Sequence, residues 1–163
     1  MATAITNFHN ELLDWACRNG FSNVDFDFSE NFGYDRTNHI VYLGINADDN
    51  VLAINQFLYE YGSDYENLWC PIIAFIHELA HHMTLPSFNE MELYIFDMAK
   101  ESMDNIMDYW HIPDEFSANI WAINFMNTHY EALNELYQIM INGYTAIYAD
   151  GKIWDYIEEK ENS

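Results

Sequence analysis

Residues 77–81 read "HELAH", which places His77, Glu78 and His81 in the order H-E-x-x-H. On an α-helix, two histidines four residues apart project from one face, a single turn from each other. Their imidazoles can then bind one ion at about 2.0–2.1 Å. Glu78 points roughly a quarter-turn away. There its carboxylate can take a proton from a water that the ion has activated, and later pass it to a leaving amine. The apolar run "PIIAFI" before His77 buries the helix and dries such a site, which strengthens the charge interactions within it. The plain alternative is a buried helix with incidental histidines. Three uncommon residue types within five positions favour the metal. His82 lies about 100° round the helix from His81 and is expected on the surface or behind the ligands.

Two histidines do not hold a catalytic zinc, which takes three protein ligands and leaves one position for water. The extended pattern with a glycine and a third histidine fails, because Thr84 and Ser87 stand at those positions. Downstream candidates for the third ligand are Glu90, Glu92, Asp97, His111, Asp114 and Glu115. Glu90 and Glu92 follow too soon after Pro86, which ends the first helix. Glu115 has the best context. In "EFSANIWA", Glu115, Ala118, Asn119 and Ala122 fall at i, i+3, i+4 and i+7, one stripe of a helix. The two alanines let that helix approach another closely. An acidic residue that merely favours a helix N-terminus would look the same. For stabilising an oxyanion, His111, His129, Tyr109 and Tyr130 are all candidates.

The elements that must position these residues are mostly helical. Residues 3–18 carry Ile5, Phe8, Leu12, Trp15 and Ala16 on one face, with Gly20 as the stop. "NVDFDF" (23–28) alternates apolar and acidic residues and reads as a half-buried strand, and "HIVYLGI" (39–45) as a second. The turn-like "NFGYDRTN" lies between them, and a third strand has no clear place. Helices are expected over 51–61, over 65–83 with Pro71 kinking or opening it, and over 88–110. One or two more are expected over 113–144. In the tail, Asp150-Gly151 between aromatic runs suggests a hairpin, while Ile153, Tyr156 and Ile157 suit a helix. The expected architecture is a single α+β domain spanning 1–163, mostly helical and zincin-like, with a small two- to three-stranded sheet on the active-site helix.

Half of the residues are apolar, so the chain can fill a core. Five Lys and Arg face 27 Asp and Glu, for a formal net charge of −22. That field repels phosphate, which argues against direct nucleic-acid binding and against docking on an anionic membrane. It attracts basic proteins, of which nucleic-acid-binding proteins are the commonest. Cys17 and Cys70 show no C-x-x-C pattern and are expected as free buried thiols. The N-terminus has neither a basic start nor an apolar core, and no apolar stretch is long enough to span a bilayer. The expected compartment is the cytoplasm.

Taken together, "HELAHH" and "EFSANIWAINFM" resemble the ImmA/IrrE family of zinc metallopeptidases, whose pattern is H-E-[LI]-x-H followed by a helix of the form E-x-x-A-N-x-F-A. Trp121 replaces the aromatic Phe, Ala80 replaces a common glycine, and the interval between His81 and Glu115 is long. The resemblance implies Zn²⁺ held by His77, His81 and Glu115, with Glu78 as general base. It also implies that the substrate is a basic DNA-binding regulatory protein, such as a repressor of a phage or mobile element. A different class of function fits the charge alone. In that reading the chain is a non-catalytic acidic inhibitor that imitates nucleic acid and occupies a basic protein such as a host-defence nuclease.

Overall fold

The computed structural model describes residues 3–46 and 70–162. Helix α1 (Ala4–Arg18) starts where the Thr3 hydroxyl accepts the Thr6 N–H at 3.1 Å, and it buries Phe8, Leu12, Trp15 and Ala16. After Gly20, at φ +83, the chain enters three short strands: β1 (Asp25–Ser29), β2 (Gly33–Asp35) and β3 (Ile40–Gly44). Their order is β1-β3-β2, with β3 parallel to β1 and antiparallel to β2. The third strand, "GYD", falls within the segment read as a turn. Three residues are too few to display an alternating pattern. Phe26 and Phe28 of β1 and Val41 and Leu43 of β3 point into the core, while the acidic residues of β1 face outward.

Helix α2 (Cys70–Thr84) carries the histidine motif. Pro71 is the second of its described residues. The helix expected over 51–61, and residues 65–69 of the next, lie outside the described residues. A short 3₁₀ turn (Leu85–Ser87) leads into α3 (Glu90–Glu101), whose N-terminus is closed by a capping box between Asn89 and Glu92. The single helix expected over 88–110 is divided in two, α3 and α4 (Ile106–Trp110). The break falls at "SMDN", where Ser102 bonds back to the Ala99 carbonyl at 3.1 Å. Ser, Asp and Asn compete with the helical backbone in this way.

Helix α5 (Pro113–Thr128) is separated from α6 (Tyr130–Asp150) by His129, at φ −127 and ψ 54. The tail is helical rather than a hairpin. Gly151 closes α6 in the left-handed conformation at φ +70, and α7 (Ile153–Glu161) follows. Asp150-Gly151 is therefore a helix stop. The chain is α+β, mostly helical, with a small mixed sheet. Among the described residues no helix is long and apolar enough to cross a membrane. Cys17 is exposed, contrary to the expectation of a buried thiol. Helix α1 buries the face that carries Leu12, Trp15 and Ala16, and Cys17 falls off it.

The core lies between α1, α6, the sheet and α2. The Trp15 indole N–H donates to the Ala132 carbonyl at 2.9 Å and locks α1 to α6. The rings of Phe75, Trp15 and Phe26 meet there, with Phe75 stacked 5.5 Å from Phe26 and edge-on to Trp15 at 6.0 Å. Strands β2 and β3 lie against α2. Tyr144 and Tyr148 of α6 donate to the carbonyls of Gly44 and Ile45, each at 2.8 Å, and so tie α6 to the end of β3.

At Gly143 the backbone of α6 is pressed against Phe8, and a Cβ there would lie 2.4 Å from the ring's Cγ. Phe8 is 1% exposed and cannot move aside. Gly143→Ala is expected to lower stability by about 1–3 kcal/mol despite its better helix propensity. Urea unfolding would show this as a lower midpoint at an unchanged slope.

Candidate metal centre

Helices α2 and α5 make the most extensive contact between any two elements among the described residues. The polar pairs across it fix its direction. His77 pairs with Asn119, and His81, one turn later, pairs with Glu115, one turn earlier, so the helices run antiparallel. Ala118 and Ala122 share the stripe of Glu115 and Asn119 and are buried, as is Ala80 opposite. These small residues permit the close approach.

Four polar residues meet inside this contact. His77, His81, Glu115 and Asn119 are 2%, 7%, 3% and 0% exposed. The His77 Nδ1–H donates to Asn119 Oδ1 at 2.7 Å, which leaves the Nε2 lone pair free on the other side of the ring. The edge of Trp110 packs on the same imidazole at 5.3 Å between centroids. Glu115 Oε2 lies 3.6 Å from His77 Nε2 and 2.9 Å from His81 Nε2. Despite the short second distance, Oε2 has no hydrogen-bond partner, because the ring nitrogen is not aligned for one. Oε1 is held instead by the Tyr109 hydroxyl at 2.9 Å, with the Lys100 ammonium at 3.7 Å.

The result is a buried, unpartnered carboxylate oxygen that faces the Nε2 atoms of two imidazoles. An unpartnered buried polar atom costs about 1–3 kcal/mol, and a cation beside Glu115 Oε2 would relieve it. Ligand atoms set tetrahedrally at about 2.0–2.1 Å are about 3.4 Å apart, and the two observed separations bracket this value. The residues present therefore fit a divalent ion. Glu78 is the second carboxylate nearby. One ligand atom each from His77, Glu78 and His81 lies within 4.8 Å of the others, a His-Glu-His group that could hold a metal ion. Glu78 is half-buried and lines the cleft beside the site.

Charge follows from this packing. Burial pushes the Glu115 carboxyl up, but His81 and His77 outweigh it and hold the group well below its ordinary value. Burial works against a charge on His77, and Glu115 more than reverses it, so that imidazole is raised. The Glu78 carboxyl is raised by burial, against the pull of both histidines. Burial and then Glu115 push the Tyr109 phenol far up, so it stays a protonated donor.

The cleft above these residues measures about 540 Å³, and its lining includes Tyr34, Arg36, Glu78, Lys100, Tyr109 and Asp114. Several sequence candidates make other contacts. Glu90 and Asp97 flank Arg36 at 3.7 Å each, and Glu92 closes the capping box of α3. Asp114 is buried against Lys100 at 2.6 Å. The ring of His111 stacks on Phe116 and that of His129 on Phe125, and Tyr130 is exposed. Of the four oxyanion candidates only Tyr109 lines the cleft.

His82 stands behind the candidate ligands. It donates from Nε2 to the Ser22 carbonyl at 2.8 Å and accepts the Tyr34 hydroxyl at Nδ1 at 2.9 Å. The Tyr34 ring lies parallel to that of His81, with centroids 6.5 Å apart, and thereby braces it. Sequence reasoning missed both Tyr34 and Lys100. Tyr34 sits in the unrecognised strand β2, but Lys100 carried a signal, since any cation stands out in a chain with five. Compared with protein-family models, with curated proteins and with solved structures, the chain has no match.

Metal analysis is expected to give about one divalent ion per wild-type chain and none in His81→Ala or Glu115→Ala. Asn119→Ala should retain the ion with affinity about 10–100-fold weaker, because His77 loses its fixed tautomer.

The metal-free protein should show a distinctive pH profile. The lowered carboxyl of Glu115 contributes stability that is complete above its unfolded value and lost as pH falls. The raised imidazole of His77 contributes stability that is complete below its unfolded value and lost as pH rises through the folded one. The melting-temperature difference between wild type and Glu115→Gln, both metal-free, should thus be largest between roughly pH 4.5 and 6.5. It should shrink on either side.

Proposed function

We propose that this chain is a zinc-dependent endopeptidase that acts on a basic, DNA-binding regulatory protein. The observation that carries the reading is the buried convergence of His77, His81 and Glu115, with Glu78 beside it at an open cleft. His77, His81 and Glu115 would hold the ion, two imidazoles and a carboxylate being a set suited to zinc. Glu115 is assigned as ligand because its Oε2 is buried and unpartnered, and Glu78 as base because it faces the cleft. Bound zinc supplies a Lewis acid that polarises both the attacking water and the scissile carbonyl.

The chain's own residues supply the remainder. Glu78, whose burial raises its proton affinity, takes a proton from the attacking water and passes it to the leaving amine. Asn119 fixes the tautomer of His77, Tyr34 braces His81, and Tyr109 holds the second oxygen of Glu115. The resemblance of "HELAHH" and "EFSANIWAINFM" to the ImmA/IrrE pattern supports the same assignment. The acidic surface suits a basic substrate.

Glu78→Gln is nearly isosteric and leaves the ligands in place. It should keep stoichiometric zinc while lowering kcat by about 10²–10⁴-fold on any peptide or protein the wild type cleaves. A Glu78→Gln protein as active as wild type would refute the assignment. A second reading is favoured by the charge of −22. It makes the chain a non-catalytic acidic inhibitor that occupies a basic nuclease. Inhibition would then survive Glu78→Gln and weaken with salt.

A further inference from the structure

Met91, Tyr94, Ile95 and Met98 stand at i, i+3, i+4 and i+7 of α3, and they are 67%, 60%, 54% and 53% exposed. That spacing is the core-facing stripe of an amphipathic helix. On α3 the stripe faces solvent. The opposite side attaches the helix to the protein through buried Leu93 and half-buried Phe96, Ala99 and Lys100. Single exposed apolar side chains are ordinary, whereas four contiguous ones on one helix mark an interaction surface.

At about 100° per residue, Glu90, Asp97 and Glu101 run along one edge of the stripe and Glu92 along the other. The edge with Glu90 and Asp97 is the one that meets Arg36, and Asp97, Arg36 and Lys100 line the candidate catalytic cleft. The apolar stripe therefore borders that cleft. A second copy of this chain is a poor occupant, because it would bring the same acidic edges, and a further −22, into contact. The complementary occupant is an amphipathic helix with an apolar face flanked by Lys and Arg.

We infer that the Met91–Tyr94–Ile95–Met98 face of α3 docks a basic amphipathic helix of the substrate protein and feeds the adjoining chain to the cleft. The word substrate rests on the peptidase reading; the docking chemistry does not. A labelled peptide of about 18 residues, or five turns, built only of Leu and Lys in amphipathic order, serves as the probe. A scrambled peptide of the same composition controls for charge. Both are titrated into the 163-residue chain carrying Glu78→Gln, with and without the added triple change Met91→Ser, Ile95→Ser and Met98→Ser.

The amphipathic peptide should bind at least about tenfold more tightly than the scrambled one. The triple change should erase that difference while leaving metal content and melting temperature unchanged. Equal affinity for both peptides would overturn the inference, as would an undiminished preference in the triple variant. So would sedimentation of the parent as a dimer that the triple variant lacks. Turnover plays no part in this measurement. A chain that carries metal but shows no stripe-dependent binding removes the docking site alone, and one that binds the peptide but takes up no metal removes the peptidase reading alone.

Discussion

Glu115 carries a carboxylate, 3% exposed, into the seam between two helices, where a lone charge would cost several kcal/mol. Its neighbours make the position tenable. His81 and His77 lie on one side, and Tyr109 and Lys100 reach its other oxygen. This contact constrains the surrounding structure. It sets α2 and α5 antiparallel in one register, requires small residues at the seam, and holds both imidazoles with Nε2 toward the carboxylate. Glu78, on the same turn of α2, is left lining the open cleft.

Scarce cations do much of the joining in so acidic a chain. Arg18 bonds Glu135 and ties α1 to α6, and Lys160 bonds Asp27 and the Phe28 carbonyl, tying α7 to β1. Arg36 links the end of the sheet to α3, and Lys100 links α3 to the first turn of α5. Exposed pairs of this kind contribute little stability individually. Lys100 and Asp114 are an exception, because Asp114 is buried and the ammonium sits 5.5 Å from the Tyr109 ring centre. The long interval between the two halves of the site thus holds a helix that supplies a cation to the cleft.

Legibility in the sequence depended on how local each feature was. The helix bearing His77 and His81, α1 with its buried face, and strands β1 and β3 all show periodicity within a few residues. Strand β2 did not, since three residues carry no period and its pairing depends on β3. The break between α3 and α4 was missed because "SMDN" interrupts an apolar pattern that continues on either side. Asp150-Gly151 satisfied two local rules equally, and packing of Ile153 and Ile157 on the core decided for a helix stop. Tyr34 and His82 gave no signal of their joint role because they lie 48 residues apart.

By itself the sequence determined that His77 and His81 share a helix face with Glu78 beside them, since four-residue spacing on an α-helix leaves no other arrangement. It also determined a strongly acidic surface and the stripe that joins Glu115 to Asn119. Which of six downstream candidates would meet the imidazoles was decided only by tertiary structure. The choice turned on the antiparallel seam of α2 and α5, with Asp114 paired to Lys100 instead. Backbone geometry fixes neighbours within a turn, whereas contacts across the fold emerge from many small packing terms that no single stretch of residues contains.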